Sequence, residues 1–128
     1  MKERQFGFEK LEVYKKARIL VKDIYVVLKQ FPLEERYALC DQMRRAIVSV
    51  PSNIAEGMGR FSLREQLHFL EIAYGSLLEI YCQLQIALDL DYIHEDTYRS
   101  LQTQIQELGA MIMRLRELRI VKLDSKDS

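Results

Sequence analysis

Apolar side chains recur along this chain at intervals of three and four, the spacing that places them on one side of an α-helix. From about Glu9 to Gln30 the row is Val13, Tyr14, Ala17, Leu20, Val21, Ile24, Val27, Leu28 and Phe31, with Lys15, Lys16, Lys22 and Lys29 elsewhere. Phe31-Pro32 predicts the stop, because proline disfavours helical backbone in the residue before it. A second row, Leu39, Met43, Ala46, Ile47, Val50 and Ile54, predicts a helix from about Leu33 to Gly57. Glu34 and Glu35 suit its positive first turn, and Gly57-Met58-Gly59 reads as its end. Pro51 falls inside this pattern. It lacks an N–H and crowds the carbonyl of Ile47, so this helix is expected to be kinked or broken there.

Ser62-Leu63-Arg64-Glu65 reads as a capping box opening a third helix, which runs to about Leu90. Its apolar arc covers about 200° of the helical wheel. Leu67, Leu70, Ala73, Tyr74, Leu77, Ile80, Tyr81, Leu84, Ala87 and Leu88 belong to it, leaving Glu65, His68, Glu79 and Gln83 as the solvent stripe. A helix that apolar is expected to touch more than two neighbours or another subunit. A fourth helix, from about Glu95 to Val121, carries Tyr98, Leu101, Ile105, Leu108, Ile112 and Leu115 as a seam alternating by three and four. Four helices of ~25 residues, each on the order of 38 Å long, with short connections predict an all-α, up-down-up-down four-helix bundle. The bundle is expected over residues 9–122, after an N-terminal extension at 1–8 and before a frayed polar tail at 123–128.

Composition narrows the class. The chain has 128 residues, 48% of them hydrophobic and 30% charged, which suits one soluble domain. Five Gly and two Pro are too few for the turns of a sandwich or barrel. Met1-Lys2-Glu3-Arg4-Gln5 leads into no apolar h-region, and no apolar run is long enough for a membrane span, so a cytoplasmic protein is expected. Cys40 and Cys82 stand alone in helical patterns and read as reduced packing residues.

Net charge is zero, with 19 basic and 19 acidic residues, but its placement is uneven. Seven acids and no Lys or Arg lie between Glu65 and Tyr98, leaving 12 acids against all 19 bases elsewhere. In an up-down bundle one end gathers Lys10, Lys15, Lys16, Arg60, Arg64, Arg114, Arg116, Arg119 and Lys122. The other gathers Glu34, Glu35, Asp41, Asp89, Asp91, Glu95 and Asp96, diluted by Lys29 and Arg36. Helix dipoles explain cations at the ends of helices 2 and 4. They do not explain Lys10, Lys15 and Arg64 near helix starts, or Asp89 and Asp91 at a helix end. A basic end of this kind attracts phosphate backbones. Neither an aromatic RNA-binding module nor a helix-turn-helix spacing is present, so any such binding is expected to be sequence-tolerant.

Motifs for chemistry are sparse. Glu65 and His68 have the E-x-x-H spacing of carboxylate-bridged metal bundles, but such a site needs two copies and two further glutamates. No metal or cofactor is therefore expected. With two histidines and no nucleophile elbow, phosphate loop, HExxH or CxxC, the chain does not read as an enzyme. His94 reads as a surface or capping residue. Arg45, Ser49, Asn53 and Glu56 share one face of helix 2, where a polar row beside Pro51 is expected either to fix the packing against helix 3, with Ser76 able to join, or to form a buried polar site for a ligand or partner. Ile19 and Val26, one heptad apart and off the core arc, are candidates for a subunit contact.

Three segments resemble one family: Phe8-Glu9-Lys10-Leu11-Glu12-Val13-Tyr14; Arg44-Arg45-Ala46 with Ser49-Val50-Pro51-Ser52-Asn53-Ile54-Ala55-Glu56-Gly57; and Phe69-Leu70-Glu71-Ile72-Ala73-Tyr74-Gly75-Ser76-Leu77-Leu78-Glu79. The family is that of four-helix-bundle proteins encoded in intervening sequences of 23S ribosomal RNA genes, and the resemblance spans Phe8 to Ile120. It implies a ring-like homo-oligomer, a pentamer, and no known reaction. Related accessory proteins of diversity-generating retroelements are positively charged barrels that bind nucleic acid and a reverse transcriptase. This chain departs from them in being net neutral. Two functions are thus in view: a homo-oligomeric accessory protein that binds RNA or DNA at its basic end, or a scaffold that binds a protein partner and no nucleic acid.

Overall fold

The computed structural model describes residues 5–127. Gly7–Lys10 forms a short 3-10 turn, followed by α1 (Glu12–Leu28), a second 3-10 turn (Leu33–Glu35), α2 (Leu39–Met58), α3 (Leu63–Asp89) and α4 (Glu95–Asp127). No strand occurs among the described residues. The principal contacts run α1–α2, α2–α3, α3–α4 and α4–α1, so the antiparallel helices close into a square with α1 and α3 on one diagonal. The core is shared by all four: Leu20 and Ile24 from α1, Met43, Ile47 and Ile54 from α2, Leu77, Ile80 and Leu84 from α3, and Leu108 and Ile112 from α4 are each buried. The first 3-10 turn packs on α1 and α2 at the end where α1 begins.

The expected second helix is two elements. Its first turn is 3-10, and Ala38, at φ −121° and ψ −101°, interrupts the chain before α2 begins at Leu39. Leu33 and Tyr37 are exposed, so no apolar row draws that stretch onto the bundle. The interruption lies there and not at Pro51, where α2 continues unbroken. Pro51 is buried, lining a cleft with Phe8, Tyr14 and Val21 of the neighbouring layer. One missing hydrogen bond is tolerated in a helix held on both flanks by packing.

Gly57 lies within α2, and none of the described glycines has a positive φ. Its role is close approach: a Cβ there would fall 2.8 Å from the Cβ of Phe69. Ser62 Oγ accepts from Glu65 N at 3.2 Å and starts α3 as the sequence suggests. At the other end of α3, Asp91 takes φ 61°, with Tyr92 N donating to Ala87 O and Asp91 N to Leu88 O. That pair of bonds is a Schellman ending. Helix α4 runs to Asp127, beyond the Val121 suggested by its seam. Arg119 still meets Gln66 near the start of α3, so the last turns of α4 reach past that end of the bundle.

Candidate nucleic-acid interface and the polar seam beside it

Helix order alone brings the nine candidate cations to one end. Lys10 sits on the first 3-10 turn, Lys15 and Lys16 on the first turns of α1, Arg60 and Arg64 around the α2–α3 turn, and the other four on the second half of α4. Four of the nine pair with acids among the described residues. Lys15 faces Glu12 at 3.5 Å, Lys16 faces Glu107 of α4 at 3.6 Å, Arg60 faces Glu56 at 2.9 Å and Arg116 faces Glu71 of α3 at 3.4 Å. The Arg60 guanidinium also lies 4.6 Å from the centre of the Phe69 ring. Arg119 is half-buried and donates to Gln66 Oε1 and, more weakly, to Met58 Sδ. Lys10, Arg114 and Lys122 are exposed and make no ion pair among the described residues. Phe61, fully exposed at the tip of the α2–α3 turn, shares this end. The Glu12–Lys15 and Glu56–Arg60 pairs are local, at i, i+3 and i, i+4. The Lys16–Glu107 and Arg116–Glu71 pairs join separate helices, so no local pattern announces them.

The polar row on α2 divides. Ser49 Oγ and Ser76 Oγ are 2.8 Å apart, joining α2 to α3. Asn53 Nδ2 donates to both Ser49 Oγ and Ser49 O at 2.8 Å. The carbonyl that Asn53 reaches is therefore that of Ser49, not the Ile47 carbonyl opposite Pro51. Arg45 and Glu56 are exposed and stand outside this set. Arg45 lines a shallow cleft with Gln42, Ser49, Ser76 and Glu79, while Glu56 holds Arg60. Gln83, expected in the solvent stripe, is only 6% exposed. Its Nε2 reaches Glu79 at 3.5 Å, and its Oε1 has no partner. The burial arc of α3 is thus rotated toward α2 relative to the sequence reading.

On the opposite edge of α3 a second polar cluster faces α4. Tyr81 Oη accepts from Tyr98 at 3.3 Å and from Gln102 Nε2 at 2.7 Å. These donors stabilise the Tyr81 phenolate and lower its pKa, Tyr98 first and Gln102 second. Burial, and then the bond it donates to Tyr81, raise the pKa of Tyr98. Tyr92 packs on Phe31 and reaches Glu35, and its pKa is raised by burial first and by the Glu35 charge second.

Glu65 and His68 are both exposed. Among the described residues no three His, Cys, Asp or Glu side chains come together as a metal cage. His94 is exposed just before α4 and its carbonyl accepts from Tyr98 N. Cys40 is a buried packing residue whose thiol pKa is raised by burial. Cys82 is free and exposed, so it does not pack inside this chain. No helix among the described residues is long and apolar enough to cross a membrane.

The fold recurs in a solved structure described as a protein with unknown function from the S23 ribosomal protein family of Bacteroides thetaiotaomicron VPI-5482. It superposes with a TM-score of 0.76 at 21% identity, covering 81% of this chain and 97% of its own. No curated protein matches the sequence. The family model described as 23S rRNA-intervening sequence protein matches residues 9–114. That match takes in α1, α2 with its Ser49–Asn53 row, α3 and α4 as far as Arg114, and the chain belongs to this family.

Proposed function

We propose that this protein is a non-enzymatic homo-oligomer, a pentamer, that acts in the cytoplasm as a nucleic-acid-binding accessory protein. Its contact is the basic end, and it grips phosphates without reading sequence. The gathering of nine cations at one end of the bundle carries this reading. Lys10, Arg114 and Lys122 lead, because no acid among the described residues holds them. Rotational symmetry repeats the end in every copy, which raises the local field.

The test is binding of labelled single- and double-stranded RNA and DNA by nuclease-treated protein, titrated across salt. Arg114→Glu with Lys122→Glu is expected to weaken all four ligands together. For every duplex phosphate that the variant no longer neutralises, the slope of log affinity against log salt should flatten by about 0.9. No binding at low salt would overturn the reading. A protein-interaction scaffold would then stand, which two observations favour: four of the nine cations already pair with acids among the described residues, and α3 has an apolar outer face.

A further inference from the structure

The outer face of α3 is apolar where a solvated helix is usually charged. Ile72, Leu78 and Ile86 are exposed there, Leu78 by 51%, with Gly75 and Cys82 between them. At 100° per residue these five share about a third of the wheel, opposite the core residues Ala73, Leu77 and Leu84. A Cβ at Gly75 would have nothing within 4 Å, so the middle of the face is open. Scattered exposed apolar residues are ordinary, whereas a contiguous strip marks a contact surface. The charges that α3 itself sets along this strip are Glu71, Glu79 and Asp89; Glu71 is held by Arg116 of α4 and Arg45 of α2 shares a cleft with Glu79, so Glu79 and Asp89 are the acids with no ion pair among the described residues.

Diagonally across the bundle, α1 presents the complement. Ile19 and Val26 are 56% and 50% exposed and form one row on its outer face. Beside them Lys15, Lys22 and Lys29 form a second row at seven-residue spacing, all exposed; Lys15 is paired with Glu12, Lys22 and Lys29 make no ion pair among the described residues, and Asp23 lies on the other flank beside Val26. Within one chain α1 and α3 lie on the diagonal, so this apolar-basic face does not cover that apolar-acidic one.

We infer that the outer face of α3 docks the outer face of α1 in a second copy of this chain. This rests on the homo-oligomeric reading above and assigns its contact surfaces. The contact is heterologous: each copy offers two different faces, on opposite sides. Repeating it generates a closed ring when the rotation closes and a filament when it does not. Leu78 and Ile86 meet Ile19 and Val26 at the apolar centre, and the α1 lysines meet the α3 carboxylates at the rim. Rim charges of opposite sign set register and favour this pairing over α1 on α1 or α3 on α3.

The experiment is light scattering on three proteins: the wild type, an α1 variant (Ile19→Asp with Val26→Asp) and an α3 variant (Leu78→Asp with Ile86→Asp). Helical circular dichroism confirms that each is folded. Each variant alone is expected to be a monomer. Mixed one to one, they are expected to form a dimer and nothing larger, because the intact α3 face of one meets the intact α1 face of the other. In the wild type Cys82 should react with a thiol reagent more slowly than in either monomeric variant. A wild-type monomer would overturn the homo-oligomeric reading itself. Oligomers that survive either variant would overturn the face assignment and leave that reading intact. A mixture that stays monomeric would also overturn it. Should the Asp variants misfold, charge reversal replaces them. Lys15→Glu, Lys22→Glu and Lys29→Glu together should dissociate the oligomer, and Glu79→Lys with Asp89→Lys in the same chain should restore it. Failure to restore it refutes the charge match.

Discussion

Helix α3 meets α2 along one edge and α4 along the other, and the two seams are built from different materials. Against α2 the contact is close and made of small groups. Gly57 lets the backbones approach at Phe69, and two serine hydroxyls and one amide supply the polar pin. Against α4 it is looser and aromatic. Each seam has a cleft of about 290 Å³, but a Cβ at Gly109 would come no nearer than 3.5 Å to its neighbours, and two phenols with Gln102 supply the pin. Each solution carries its own vulnerability. A close seam tolerates no added volume, while a phenolic pin is exposed to pH.

The same substitution should therefore have opposite signs at the two seams. Alanine is favoured over glycine in a helix interior by about 1 kcal/mol. At Gly57 the added methyl meets the Cβ of Phe69, which cannot swing away as a side-chain tip would. The helices must part, and overpacking of that kind costs ~1–3 kcal/mol. Gly57→Ala is expected to lower stability by about 2 kcal/mol in denaturant unfolding, the largest effect of the set. Next comes Ser49→Ala, which removes one of the two acceptors of Asn53 and the partner of Ser76 together. It should cost about 1–2 kcal/mol, because two half-buried groups lose a bond. Gly109→Ala inverts the sign. Its Cβ would lie 3.5 Å from Leu77 Cδ2 and 3.7 Å from Tyr74 Cε2, an ordinary contact distance. The helical gain should survive as a stabilisation of about 0.5–1 kcal/mol. A destabilised Gly109→Ala would mean that the α3–α4 seam is as tightly closed as its neighbour.

Periodicity made the four helices readable because the burial of an apolar row is a local property of the helix that carries it. Which edge of a broad row faces which neighbour is not local. Gln83 lies at the margin of the α3 arc and is buried by α2, while Leu78 and Ile86, as apolar as their buried neighbours, face outward. The Ser49, Asn53 and Ser76 set was legible from i, i+4 spacing plus one guess across the seam. Of the kink or break expected at Pro51, the break does not occur, because packing on both flanks of α2 offsets the hydrogen bond that proline lacks. Gly57 looked like a helix end in the sequence, and only the neighbouring Phe69 reveals a packing role. The cations could be assigned to one end from helix order alone, but the pairing of Lys16 and Arg116 across helices required the fold.

Alkaline pH should separate the two seams with the smallest perturbation, since Ser49, Asn53 and Ser76 do not titrate in that range and the phenols do. Tyr98 has a folded pKa raised above its ordinary 10.0. Its contribution to stability is whole below pH 10 and is lost as pH rises through the folded value, where the unfolded chain has already ionised. Tyr81 is shifted the other way, lowered from 10.0 by the bonds it accepts. It ionises first in the folded state, so its contribution grows as pH climbs toward 10. Together they predict a contribution to the thermal midpoint that rises as pH approaches 10, through Tyr81, and falls above it, as the fold keeps a proton on Tyr98 that the unfolded chain gives up. Tyr92 and Cys40, both raised mainly by burial, add a decline of the same sign above pH 10 and pH 9. Comparison with Tyr98→Phe removes that background, because both proteins keep Tyr92 and Cys40. The variant should lose less of its midpoint between pH 10 and pH 11 than the wild type does. Equal losses would mean that the phenol pair contributes nothing to the α3–α4 seam, leaving that seam to hydrophobic packing alone.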